Sequence, residues 1–156
     1  MIRFVKEYTQ VVFAEIPDEI SLTFSLSNCQ NRCKGCHSGE LRKNIGDELT
    51  FDVMCDLIDK NKGISCILIM GEGNDQEKLI ELCRLIKRKY NTLKMAIYSG
   101  RNEVEDEYYK LFDYVKIGAY IEEKGALNKE TTNQRLYEIK NGEINDITYK
   151  FWKKII

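Results

Sequence analysis

Three cysteines, Cys29, Cys33 and Cys36, stand four and then three residues apart in Cys29-Gln30-Asn31-Arg32-Cys33-Lys34-Gly35-Cys36-His37. That spacing suits thiolate ligation of a soft metal or an iron–sulfur cluster. An electron-carrying 4Fe–4S ferredoxin needs a fourth cysteine, whereas a cluster held by three leaves one iron open to an exogenous ligand. Structural zinc also accepts Cys₃His sets, but its ligands usually come as two separated knuckles, and the adjacent Cys36 and His37 are awkward ligands for one ion. Gln30, Asn31, Arg32 and Lys34 make the loop polar, which argues against three merely buried thiols.

Other residues that could do chemistry stand at the ends of apolar runs. Gly71-Glu72-Gly73 closes the run 64–70, and glycine there lets backbone approach a ligand or simply makes a turn. Tyr98-Ser99-Gly100 closes the next run in the same manner, again as a ligand-facing segment or a turn. Asp113 begins Asp113-Tyr114-Val115-Lys116-Ile117-Gly118 and reads more readily as a cap or turn residue than as a ligand. His37 is the sole histidine, so imidazole chemistry would rest on it alone; beside the third cysteine, it can pack near a cluster and tune it by hydrogen bonding. A Cys/His hydrolase would leave the other two thiols of the loop without a purpose.

The cysteine loop resembles the Cys-x₃-Cys-x₂-Cys motif of the radical S-adenosylmethionine enzymes. Cys33-Lys34-Gly35-Cys36-His37 is similar to the form found in anaerobic ribonucleoside-triphosphate reductase activating proteins, with Gly35 where other members carry an aromatic residue. Gly71-Glu72 resembles the family's Gly-Gly-Glu segment, whose backbone and acid bind the cofactor's amino group; Met70 stands in place of the first glycine and Gly73 in place of a proline. Ser99-Gly100 resembles a Thr-Gly segment lining the cofactor site, and Thr132-Asn133-Gln134-Arg135 a late Ser/Thr-x-Asn-Gln-Arg signature facing cofactor or partner. Ile16-Pro17-Asp18-Glu19 departs from the Gly-Pro-Gly-like turn of many members.

The resemblance implies a 4Fe–4S cluster on Cys29, Cys33 and Cys36, and S-adenosylmethionine bound near Gly71, Glu72, Ser99, Gly100, His37 and Asn133. It implies a glycyl radical raised on the large subunit of the anaerobic reductase, with reduced flavodoxin or ferredoxin as electron donor. It also implies a shortened, open, partial (β/α) barrel whose missing side the substrate protein supplies. Activation of another glycyl-radical enzyme keeps the same chemistry, and a non-catalytic iron–sulfur or zinc module is the alternative from another class.

Length and composition bound these readings. A chain of 156 residues fits one domain, 1–156, able to bury about two-thirds of its unfolded surface. With 24 basic and 25 acidic side chains interspersed, nothing marks a nucleic-acid partner. Early charge in Met1-Ile2-Arg3-Phe4-Val5-Lys6 argues against a signal peptide, and no apolar run approaches a membrane span, so a cytoplasmic protein is expected. In that reducing compartment disulfides are not expected, and Cys55, Cys66 and Cys83, within apolar periodic segments, read as core thiols.

The elements that must position these residues follow from periodicity. Residues 3–16 read as one or two strands broken at Pro17-Asp18, and the period of two from Ile20 to Leu26 as a strand leading into the cysteine loop. Thr50 caps a helix over 51–61, the apolar run 64–70 is a strand buried on both faces, and Asn74 or Asp75 caps a helix to about Tyr90. A strand over 93–98, a helix over 104–112 and a strand over 114–118 follow. Such alternation predicts an α/β fold of right-handed βαβ units on a parallel sheet, with too few units for a closed eight-stranded barrel. Asn141-Gly142 predicts a C-terminal hairpin joining 135–140 to 143–148.

Overall fold

In the computed structural model, which describes residues 1–30 and 39–152, the apolar run Cys66–Met70 forms β5, an interior strand of a seven-stranded sheet. Cys66, Ile67, Leu68 and Ile69 are each wholly buried, as a strand covered on both faces requires. The chain reaches it through β1 (Arg3–Phe4), β2 (Val11–Val12), β3 (Ser21–Ser25), β4 (Asp47–Glu48) and α1 (Phe51–Lys60). It continues through α2 (Gln76–Lys89), β6 (Lys94–Tyr98), α3 (Asp106–Leu111), β7 (Tyr114–Ile117), β8 (Arg135–Lys140) and β9 (Glu143–Asp146).

Strand order is β2-β3-β5-β6-β7-β8-β9, with β3, β5, β6 and β7 mutually parallel and antiparallel strands at both margins. The sheet runs from one edge at β2 to another at β9 and does not close on itself. Because each parallel strand is followed in space by the next in sequence, right-handed crossovers put all the helices on one face. Met54 and Ile58 of α1, Leu79, Cys83 and Ile86 of α2, and Tyr108 and Leu111 of α3 accordingly share a core with Leu22, Phe24, Ile67, Ile69 and Ile97. The opposite face is covered by irregular chain, where Ile16 and Ile147 pack on Cys66, Leu68, Ala96, Tyr114 and Leu136. That second layer explains why β3 is buried at every position although its sequence alternates.

The caps fall where side-chain chemistry places them. Thr50 Oγ1 accepts from Val53 N (3.2 Å) and Asp75 Oδ1 from Lys78 N (3.1 Å), each cap stabilising its helix by about 1 kcal/mol. Asn141 and Gly142 take φ of 53° and 80°, the left-handed pair that a two-residue hairpin turn demands. Strand β9 stops two residues earlier than the alternation predicts, because Thr148 turns inward: its hydroxyl accepts from Leu136 N (2.8 Å) and donates to Asp146 (2.6 Å), and a 3₁₀ turn begins there. Helix α3 is likewise shorter than its pattern, since both flanking residues, Glu105 and Phe112, are extended. No helix among the described residues is long and apolar enough to cross a membrane.

Candidate functional site

The carboxyl ends of β3, β5, β6 and β7 lie side by side, and the segments leaving them enclose a cavity of about 380 Å³. Open parallel sheets place ligands at this edge, and the volume falls in the ~300–1,000 Å³ range of small-molecule sites.

From β3 the chain passes Leu26 to Cys29, both in the cavity wall. Ser27 N donates to Arg3 O (3.0 Å), Asn28 N to Lys43 O (3.0 Å) and Cys29 N to Leu41 O (2.8 Å), so the chain entering the cysteine loop is tied to the chain leaving it. Asn28 takes φ 60° to make the turn. Cys33, Cys36 and His37 lie outside the described residues. Among the described residues, no three His, Cys, Asp or Glu side chains gather as metal ligands.

From β5 come Met70, Gly71, Glu72 and Gly73, all lining the cavity. Gly71 has φ 91° and Gly73 φ 66°; a Cβ on Gly71 would meet nothing closer than Leu26 O at 3.8 Å. Glycine is needed here for its backbone conformation, with space for a side chain to spare. Glu72 is 8% exposed, and both its oxygens accept from protein donors: Oε1 from Tyr108 Oη (2.5 Å) and Arg101 Nη2 (2.7 Å), Oε2 from Ser99 Oγ (2.7 Å) and Arg101 Nε (3.0 Å).

From β6 come Tyr98, Gly100 and Arg101 in the wall, while Ser99 is fully buried behind it. Ser99 thus serves the cavity through its bond to Glu72 and by accepting from Arg101 N (3.1 Å). Arg101 also forks onto Glu105, Nη1 to Oε1 (2.9 Å) and Nη2 to Oε2 (2.8 Å). The Glu105 bond first, then Glu72, raises the Arg101 pKa, and Arg101 holds the Glu105 carboxyl down at about 2. Burial raises the Tyr98 and Tyr108 hydroxyls, Tyr108 further through Glu72.

From β7 comes Lys116, 7% exposed, whose ammonium donates to Ser99 O (3.1 Å) and Gly118 O (2.9 Å) and lies 5.7 Å from the Tyr98 ring centre. Gly118, at φ 105°, passes so close to Gln134 that a Cβ would come within 2.9 Å of its Cα. Gln134 lines the cavity and donates to Gly118 O (3.3 Å). Asn133, its neighbour, is not among the lining residues: its amide donates to Ala119 O (3.0 Å), bracing the loop after β7. Asp113 is structural, accepting from Met95 N (2.9 Å) through its side chain.

Comparison with protein-family models, with curated proteins and with solved structures finds no match. The chemistry of the site therefore rests on its own residues.

Gly71, Glu72, Gly100 and Cys29 converge on one cavity, and Ser99 joins them through Glu72. Arg101 and Lys116 are cavity-lining residues that periodicity passes over, since a single cation beside an apolar run reads as solvent-facing. Their available signals were position: Arg101 follows a Ser-Gly strand end with acids at 72 and 105, and Lys116 interrupts an apolar strand. Cys29 contributes a thiol to the wall of a mainly apolar pocket that the Gly71–Gly73 turn also lines.

Proposed function

We propose that this chain is a radical S-adenosylmethionine enzyme that activates the anaerobic ribonucleoside-triphosphate reductase by raising a glycyl radical on its large subunit. The observation that carries the reading is the convergence of Cys29 with the Gly71–Gly73 turn and Gly100 on one cavity at the carboxyl ends of adjacent parallel strands. In this reading the four parallel strands of the open sheet are a partial (β/α) barrel, preceded by short N-terminal strands and bordered at the far margin by the β8–β9 hairpin.

Cys29, with Cys33 and Cys36, would hold a 4Fe–4S cluster, which would supply the single electron for cleaving S-adenosylmethionine into methionine and a 5′-deoxyadenosyl group able to take a hydrogen atom from a glycine of the partner. The chain's own residues bind, orient and exclude water. Leu26, Met70 and Tyr98 present apolar surface to the ligand, and the glycine turn offers backbone on the side next to Cys29. Gln134 and Lys116 bound the wall that faces away from β3. Reduced flavodoxin or ferredoxin is the electron donor of this proposal.

Electron paramagnetic resonance tests the partner assignment. The candidate reductase, incubated anaerobically with this protein, S-adenosylmethionine and reductant, should show a glycyl doublet. Formation of 5′-deoxyadenosine without that doublet would move the assignment to a different glycyl-radical enzyme.

A further inference from the structure

Glu72 uses its whole acceptor capacity inside the protein. A carboxylate offers about four lone-pair directions, and Tyr108, Ser99 and two nitrogens of Arg101 take them. Arg101 in turn spreads its guanidinium between two carboxylates, with Glu72 on one side and Glu105 on the other, and lies 5.7 Å from the ring centre of Tyr108. Glu72 follows β5, Arg101 follows β6 and Glu105 immediately precedes α3, so one side chain joins the ends of three successive elements at the cavity's edge. The glycines flanking Glu72 are both in the left-handed region; Gly71 N donates to Tyr98 O (2.9 Å), tying the turn to β6 through backbone, and the Glu72 carboxylate ties it through its side chain.

We propose that Arg101 is a positioning residue of the cavity, holding the Gly71–Glu72–Gly73 turn in its ligand-binding shape by engaging the Glu72 carboxylate and keeping that charge off the ligand. This rests on the reading of the cavity as a cofactor site. It differs in sign from a site in which Glu72 itself grips a cationic ligand. There, removing Arg101 would release a carboxylate and leave affinity for a cation unchanged or raised; here, removing it lets the turn relax and affinity falls.

The test uses full-length protein reconstituted with iron under anaerobic conditions, with S-adenosylmethionine as the probe in equilibrium binding. Arg101→Ala should bind roughly tenfold or more weakly, the scale of a lost charge-assisted interaction. Arg101→Lys should recover little, because a single ammonium cannot make the two-sided fork, whereas millimolar guanidinium ion added to Arg101→Ala should restore binding. Glu72→Gln combined with Arg101→Ala should bind no worse than Arg101→Ala alone. Hydrogen exchange without any ligand gives an independent readout: amides of Gly71–Gly73 should exchange faster in Arg101→Ala while those of Ile67–Ile69 stay protected. Equal or tighter binding by Arg101→Ala, or unchanged exchange at the turn, overturns the proposal. Wild-type protein with full iron that binds no S-adenosylmethionine defeats the functional reading instead, and the exchange comparison then decides alone whether Arg101 holds the turn.

Discussion

Ser99 donates a 2.7 Å hydrogen bond to the Glu72 carboxylate, joining the ends of two neighbouring parallel strands beneath the cavity. Both groups are buried, so the bond has no water to replace it. Ser99→Ala should cost about 1–3 kcal/mol, the scale of leaving a buried acceptor one donor short. Urea unfolding measures this directly, and a loss below about 0.5 kcal/mol, the size of a neutral surface change, would mean that Arg101 and Tyr108 suffice without it.

Acid should loosen the same corner through Glu105. Arg101 lowers the Glu105 pKa from its ordinary 4.5 to about 2, so the folded state binds this proton less readily than the unfolded chain. The contribution is fully present above pH 4.5 and is lost as pH falls toward 2. It is small, because the Glu105 side chain is half exposed. Glu105→Gln should flatten this part of the stability curve, as denaturant titrations across the acid range would show.

The thiols should divide into two classes. Burial pushes Cys66 and Cys83 up to about 12, leaving almost no thiolate at neutral pH. Alkylation of the native, iron-free protein followed by peptide mass spectrometry should spare both, while Cys29 in the cavity wall reacts. Cys66→Ala should keep its iron and lose on the order of 1 kcal/mol in packing, whereas Cys29→Ala should lose the cluster. Equal iron loss in the two variants would contradict the three-cysteine assignment.

Two glycines with similar backbone angles should respond differently to alanine. At Gly142, φ 80° with nothing within 4 Å of a new Cβ, the cost is conformational alone, about 1 kcal/mol. At Gly118 the Cβ also meets backbone of Gln134 at 2.9 Å, and Gly118 O is the acceptor for both Lys116 and Gln134. Gly118→Ala should therefore cost a further 1–3 kcal/mol, roughly that of overpacking, and thermal unfolding of the two variants side by side reads the difference.

Much of the framework is legible along the chain because it depends on neighbours in sequence. Thr50 and Asp75 stand where a helix lacks donors' partners, Asn141-Gly142 permits a turn that other residues resist, and strand–helix alternation dictates parallel strands. The cavity is less legible because it depends on what folds against what. Gly71 reads as a place for close approach, yet its Cβ would have room, and the need lies in φ. Asn133 and Gln134 are adjacent and chemically alike, but only Gln134 lines the cavity, while the Asn133 amide donates to Ala119 O. Arg101 and Lys116 carry charge beside apolar strands, and only the acids and carbonyls brought to them by tertiary folding reveal that they face inward.

On the proposed function, the cavity beside Cys29 would take S-adenosylmethionine and deliver it to reductive cleavage. The most direct measurement is 5′-deoxyadenosine released by the anaerobically reconstituted protein given S-adenosylmethionine and a strong reductant. Wild-type protein and Cys66→Ala should form it, and Cys29→Ala should form none. Iron-loaded wild-type protein that releases no 5′-deoxyadenosine would contradict the proposed function.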